Sequence, residues 1–507
     1  MAYLRLRFYI VEANATLSNT RNHDVTNDTL DTITRRSRTC MGLTIIIACA
    51  SAGPDRAPMQ PTAAVAVVGV AVADGTTPEL RRDWTVVVRD GRIAAAGPSA
   101  SVTIPANATR IDGTGKFLVP GLWDMHVHLD GKDVEWLPLL VAHGVTSVRD
   151  VGTLRRAEAD SLSSVARTRG LPAPRIATAG FMIETPGSLA FMGRLASLAA
   201  ATPHPTPRWD RGRLAVTTTG QASAAADSVV KARGAMLKFI DPGSPEIFSA
   251  LAFAAQSRGL TLIGHAPQAF RTVGPWRAIE AGQRSFEHLY GLARALDTIP
   301  ATGRQALVAG MRERGAALVP TLLVSSQDSI PTDRFWSLIK DSLGQVDPRN
   351  RWISARERTQ WAVRLGMLRD PSQPRQSVDA WRRGYDREAA ALREMHRLGA
   401  PILPGTDLGM YLVYPGSSIH EELAMLVRDA GMTPFDALRS ATLASAQWQG
   451  VADSVGSIRR GMVADLVLLD ADPFADVRNL ARTRAVMARG RLYDRAALDA
   501  ISAYKAR

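Results

Sequence analysis

Three features of the sequence predict an α/β fold, with a (β/α)8 barrel inserted in a small β-sandwich. Eight short apolar runs alternate with longer helical patterns through the middle of the chain, which is the order of parallel βα units. β-Branched segments bounded by turn residues stand at both ends, where they can pair across the intervening chain. The 507 residues, 46% hydrophobic and 21% charged, can fill a barrel of about 250 residues and a second unit. That composition excludes disorder, collagen and a disulfide scaffold.

The formal charge is +13, and of 61 basic residues only six are lysine: Lys116, Lys132, Lys231, Lys238, Lys340 and Lys505. The arginines are scattered, without the spacing of a zinc finger, an RNA-recognition module or a basic zipper, so the charge reads as surface and no nucleic-acid partner is expected. Cys40 and Cys49 are the only cysteines. Any metal must therefore be held by His, Asp, Glu or a lysine derivative. No run of 18 apolar residues occurs, so no membrane-spanning helix is expected.

Residues 1–34 are polar, and Arg35, Arg36 and Arg38 precede the apolar stretch 41–50, the order of a secretion signal. Ile46-Ile47-Ala48-Cys49 resembles a bacterial lipobox, in which Cys49 would carry the lipid, and Ala50-Ser51-Ala52 offers an ordinary cleavage site. The expectation is an exported, periplasmic or lipid-anchored protein that meets a membrane only through that anchor. The alternative is a cytoplasmic protein with its start codon placed too early. The expected division is a leader at 1–60, sandwich segments at 61–120 and 451–507, and the barrel at 121–450.

The first expected strands are 64–73, 84–89 and 92–96, with Asp90-Gly91 as a type I′ hairpin turn between the last two. Matching strands return at 464–469 and 485–488, with Arg489-Gly490 turning into Leu492-Tyr493. Barrel strands are expected at 122–129, 145–151, 175–179, 236–240, 261–265, 285–289, 317–323 and 402–407. No GxGxxG follows the first of these, which argues against nucleotide binding. The intervals 182–231 and 325–398 exceed a single connection and should carry helices of their own. In the second, Trp336, Trp352, Trp361 and Trp381 read as helix-packing residues, with a lid as the other reading.

His126-Val127-His128 closes the first barrel strand, and period-two alternation sends both imidazoles to one face, where they fit a divalent metal. His265, His288 and Asp407 stand at the ends of the fifth, sixth and eighth runs, and a barrel brings all such C-terminal ends to one rim. Lys238 interrupts the apolar run Met236-Leu237-Lys238-Phe239-Ile240, where an unpaired ammonium is costly. Burial lowers a lysine pKa, and the neutral amine can add carbon dioxide to form a carbamate able to bridge two metals. The other reading is a lysine snorkelling to the rim or paired with a carboxylate.

Together with Val119-Pro120-Gly121-Leu122-Trp123-Asp124, Gly264-His265, Glu287-His288-Leu289, Gly405-Thr406-Asp407 and the tail 456–470, these residues resemble the amidohydrolase superfamily, in its imidazolonepropionase-like branch that includes Xaa-Pro dipeptidases. The resemblance runs from about Ala64 to Asp494. It implies a distorted (β/α)8 TIM barrel inserted in a small β-sandwich and two divalent metal ions, usually zinc. One would be held by His126, His128 and Asp407, the other by His265 and His288, with Lys238 carboxylated by CO2 and a hydroxide bridging both. It implies hydrolysis of a C–N bond, with Asp407 as the catalytic proton shuttle.

Tyr290, on the same face as His288, is a candidate donor to a substrate carboxylate, with Arg149 on the second run as another, and His420 after the eighth run reads either as a substrate contact or as helix-end structure. His143 reads as structural. The expected substrate is a dipeptide or an N-acyl amino acid, with a cyclic amide or lactam as the alternative. The third-strand loop 181–188 departs from the best-characterised dipeptidases, which keeps the substrate open. The rival classes are a non-catalytic binding scaffold and an exported solute-binding lipoprotein, neither of which accounts for six ligand-type residues spread over five barrel strands. A homo-oligomer is compatible with the sequence.

Overall fold

The computed structural model describes residues 64–130, 133–185, 188–190, 212–266, 271–368 and 377–503. The leader, Cys49 and much of the first long insertion lie outside these residues. No helix among the described residues is long and apolar enough to cross a membrane.

The two terminal segments, expected to pair with each other, meet in one mixed eight-stranded sheet. Its strands are β1 (Val65–Val72), β2 (Arg81–Arg89), β3 (Arg92–Pro98), β4 (Thr109–Asp112), β5 (Phe117–Pro120), β15 (Leu466–Leu469), β16 (Thr483–Ala488) and β17 (Arg491–Tyr493), in the order 17-16-15-5-1-2-3 with β4 beside β1. The seam is the antiparallel pairing of β5 with β15, Val119 opposite Val467. Asp90 and Gly91 both take positive φ, 52° and 75°, as a type I′ turn requires. Alternation sorts the side chains of the seam strands. Leu118, Leu466, Leu468, Ala485 and Met487 join a core private to this sheet, while Val119, Val467, Leu469, Val486 and Ala488 pack into the main core.

The middle of the chain forms two parallel sheets. One holds β6 (Leu122–Val127), β7 (Val145–Asp150) and β8 (Arg175–Thr178). The other holds β9 (Met182–Glu184), β10 (Arg213–Ala215), β11 (Met236–Phe239), β12 (Thr261–His265), β13 (Gln283–Glu287) and β14 (Ala317–Val319), in the order 10-9-11-12-13-14. Residues of β6, β7, β11 and β14 are buried throughout, as strands covered on both faces must be. The covering helices carry apolar stripes. In Pro245–Gln256, Phe248, Leu251, Ala252 and Ala255 face inward, and Ser244 caps the first turn by accepting from Ile247 N at 3.2 Å.

Two expected strands differ. The run 317–323 is strand only to Val319, because Thr321 adopts φ 49° and Leu322–Gln327 is helical. The run 402–407 forms no strand of its own but bonds to both neighbours: Leu403 N donates to Leu318 O, Met125 N to Pro404 O and Asp407 N to His126 O. Across the other gap, Ala235 N donates to Thr178 O. The second long insertion is helical, with Thr332–Lys340, Ala355–Leu368 and Val378–Arg397. Trp352 and Trp361 are buried in it; Trp361 meets Tyr414 edge-on, and Trp352 Nε1 donates to Ser502 O.

Candidate metal centre

The ends of β6, β11, β12 and β13 and the 402–408 segment bring together side chains of residues far apart in sequence. His126 and His128 emerge from β6 on one face, their ring centroids 5.2 Å apart. His288 lies 4.8 Å from His126 and 4.6 Å from His265 by ring centroids, so the four imidazoles form one chain. Asp407 Oδ1 sits 3.4 Å from His126 Nε2 and 3.3 Å from His128 Nε2. Candidate ligand atoms of His126, His288 and Asp407 all lie within 4.8 Å of one another. Two glycines make the approach feasible. A Cβ on Gly405 would stand 2.6 Å from His126 Cβ, and one on Gly264 would strike the Phe239 ring at 2.4 Å.

His288 and Asp407 hold left-handed backbone, φ 69° and 60°. In non-glycine residues such backbone costs about 1–3 kcal/mol and persists where surrounding structure enforces it. Here His288 N donates to Val319 O and Asp407 N to His126 O.

The donor set fits a cation. His126 Nε2, His128 Nδ1, Lys238 Nζ, His265 Nδ1 and Asp407 Oδ1 are buried without a hydrogen-bond partner among the described residues, although such atoms are ordinarily satisfied. Burial drives the His288 imidazole down to about 3, and burial followed by the Lys238 charge holds His265 well below its ordinary range, so both present lone pairs. Burial would raise the Asp407 carboxyl, but His126 and His128 hold it far below. Burial also lowers the Lys238 amine to about 8, opposed by Glu287 and reinforced by Arg149. For His126, burial is outweighed by Asp407 and Glu287, and its value rises.

A second layer holds these groups. His126 Nδ1 lies 2.8 Å from Glu287 Oε2 and donates to it, which leaves Nε2 as the free lone pair. Glu287 also accepts from Arg149 Nη2 at 2.9 Å and from Ser285 Oγ at 2.6 Å. Asp124 takes Thr406 N at 3.0 Å, Thr406 Oγ1 at 2.6 Å and His126 N at 3.3 Å, tying β6 to the turn that carries Asp407. Sequence reasoning missed Glu287 and Asp124 in these roles. A carboxylate inside an apolar strand was the available signal, the same one that singled out Lys238.

The three substrate candidates part company. Tyr290 is 46% exposed beside the cluster, its ring stacked on His288 at 5.4 Å and 13°. Arg149 is fully buried and held by Glu287, Ser285 Oγ, Met125 O and the Trp448 ring, so it serves the second layer and does not face substrate. A guanidinium in an interior strand needs such partners. His420 is buried, with Nε2 3.0 Å from His143 O and its ring against His143. His143 closes the helix Trp136–Ala142, in the structural place expected of it.

Comparison with known proteins agrees with this geometry. Residues 117–493 match the amidohydrolase family. An imidazolonepropionase of Halobacterium salinarum is 25% identical over 446 residues, 80% of this chain and 89% of that protein. Among solved structures, a bottromycin amidohydrolase is 25% identical with a TM-score of 0.63, covering 87% of this chain and 91% of its own. A Xaa-Pro dipeptidase with bound methionine in its active site shares the fold at 21% identity and a TM-score of 0.61, covering 85% of this chain and 100% of its own. The chain belongs to the amidohydrolase family, metal-dependent hydrolases acting on C–N bonds.

Proposed function

We propose that this protein hydrolyses the amide bond of a dipeptide or an N-acyl amino acid at a centre of two divalent ions, zinc in the first instance. The observation that carries the reading is that His126, His288 and Asp407 offer ligand atoms within 4.8 Å of one another, with His128 and His265 in contact with the same cluster. His126, His128 and Asp407 would hold one ion and His265 and His288 the other, with Lys238 joining them as a carbamate. Its burial and lowered basicity favour that modification, since only the neutral amine adds carbon dioxide. Bound divalent ions supply Lewis acidity and lower the pKa of water.

The remaining chemistry belongs to the chain's own residues. The Asp407 carboxylate is kept ionised by its histidine neighbours, so it can accept a proton from the attacking water and deliver it to the departing amine nitrogen. Water adds to the carbonyl carbon, the C–N bond breaks, and acid and amine leave. Tyr290 would donate from its hydroxyl to a substrate carboxylate, a role that its exposure beside His288 supports. The hydrogen bonds from 402–408 to β6 and β14, and from Ala235 to Thr178, support reading the parallel strands as one distorted (β/α)8 barrel around this rim.

The test is amine release from dipeptides, N-acyl amino acids and cyclic amides by protein loaded with zinc and bicarbonate. Chelator-sensitive release from the first two groups is the expected result. Release from cyclic amides alone would move the assignment to the second reading, which the likeness to imidazolonepropionase favours. Silence with two ions bound would refute both.

A further inference from the structure

We propose that Glu422 and Thr321 act as a positioning pair for His288: Glu422 takes over the capping of the helix that Thr321 opens, which leaves the Thr321 hydroxyl to orient the imidazole. The inference rests on the reading of His288 as a metal ligand. It concerns a buried acid and a strained residue that the proposed chemistry does not use.

Thr321 occupies the N-cap position of the helix Leu322–Gln327. A threonine there ordinarily has extended backbone and accepts from an N–H of the first turn through its own side chain. Thr321 does neither. Its backbone is left-handed, φ 49° and ψ 48°, and its side chain makes no capping bond. The hydroxyl instead lies 2.8 Å from His288 Nδ1. The helix is capped from elsewhere in the chain: Leu322 N donates to Glu422 Oε1 at 3.0 Å and Leu323 N to Glu422 Oε2 at 2.8 Å. Glu422 is fully buried on the helix Ser418–Arg428, and Thr321 is fully buried as well.

The division of labour has a chemical consequence. An imidazole that binds a metal through Nε2 must carry its proton on Nδ1, and an oxygen acceptor fixed at Nδ1 selects that tautomer and the ring plane together. Thr321 supplies such an oxygen only while its hydroxyl is not drawn to the open N–H groups of its own helix. Glu422 takes the first two N–H groups of the helix, and the second, Leu323 N, is one of the two that an N-cap hydroxyl ordinarily serves. Glu287 acts on His126 Nδ1 directly; Glu422 acts on His288 through Thr321.

The test is zinc affinity of the full chain, measured by competition with a chromophoric chelator, alongside the melting temperature of each variant freed of metal. Thr321→Val should weaken one bound zinc about 10- to 100-fold, the usual range for loss of a ligand's orienting partner, with Thr321→Ser restoring it. Glu422→Gln keeps one acceptor oxygen and should give a smaller loss in the same ion. That variant touches no ligand, and it carries the test alone should the valine variant fail to fold. Unchanged zinc affinity in the folded variants, even with a lowered melting temperature, would overturn the inference alone. Wild-type protein that takes up no zinc would overturn the proposed function and the inference with it.

Discussion

Glu287→Gln probes the layer beneath the metal centre. Glu287 and Arg149 are both fully buried, with Arg149 Nη2 2.9 Å from each carboxylate oxygen. Removing one charge of such a pair strands the other, which costs about 3–5 kcal/mol. Arg149 would keep Met125 O at 2.5 Å, Ser285 Oγ at 3.0 Å and the Trp448 ring at 4.9 Å, and glutamine would still offer one oxygen, so the loss should fall near the lower end, about 3 kcal/mol. The assay is urea unfolding of metal-free wild type and variant at equal m-value. Arg149→Met combined with Glu287→Gln should lose less than Glu287→Gln alone, because no charge is then stranded. A single-variant loss below about 1 kcal/mol, or a double variant weaker than both singles, would refute the view that this buried pair is a coupled charge unit.

Lys238→Ala should lose metal and turnover together, and a short-chain carboxylic acid should restore part of both; full metal and activity in the unrescued variant would remove the bridging role. Asp407→Asn should fold but lose about 10²- to 10⁴-fold in kcat, measured as amine release, if the carboxylate moves the proton. His143 and His420 predict a pH effect on stability. Burial lowers them to about 3 and about 4 from 6.5, so the folded protein holds them neutral while the unfolded chain takes up protons. Their contribution is complete above pH 6.5 and drains away as pH falls toward the folded values, with a slope of at most about 2.7 kcal/mol per unit for two protons. His420→Gln should reduce the fall in unfolding free energy between pH 6 and 5 by about 1.2 kcal/mol, read from urea unfolding at each pH.

What the sequence made legible was local in its physics. Alternation alone put His126 and His128 on one face, the Asp90-Gly91 pair named its own turn, and Lys238 stood out because an apolar run cannot hold an ammonium without cause. Strand β5 was not legible, because it has only four residues and its pairing with β15 is made across the whole length of the inserted chain. The end of β14 failed for the same reason. Residues 317–323 read as one apolar strand, but the chain turns left-handed at Thr321, whose partners are His288, distant in sequence, and the helix that Glu422 caps from still further away. Arg149 and His420 were assigned to substrate on charge and position alone, and their actual partners, Glu287 and the His143 carbonyl, lie on other elements. A buried polar residue announces that it has a partner, but its sequence neighbours do not say which. In this chain buried polar groups satisfied at a distance by protein, such as Arg149, Asp124 and Glu422, build the support, and they stand behind His126, His288 and Asp407, whose ligand atoms lie close enough to hold a metal.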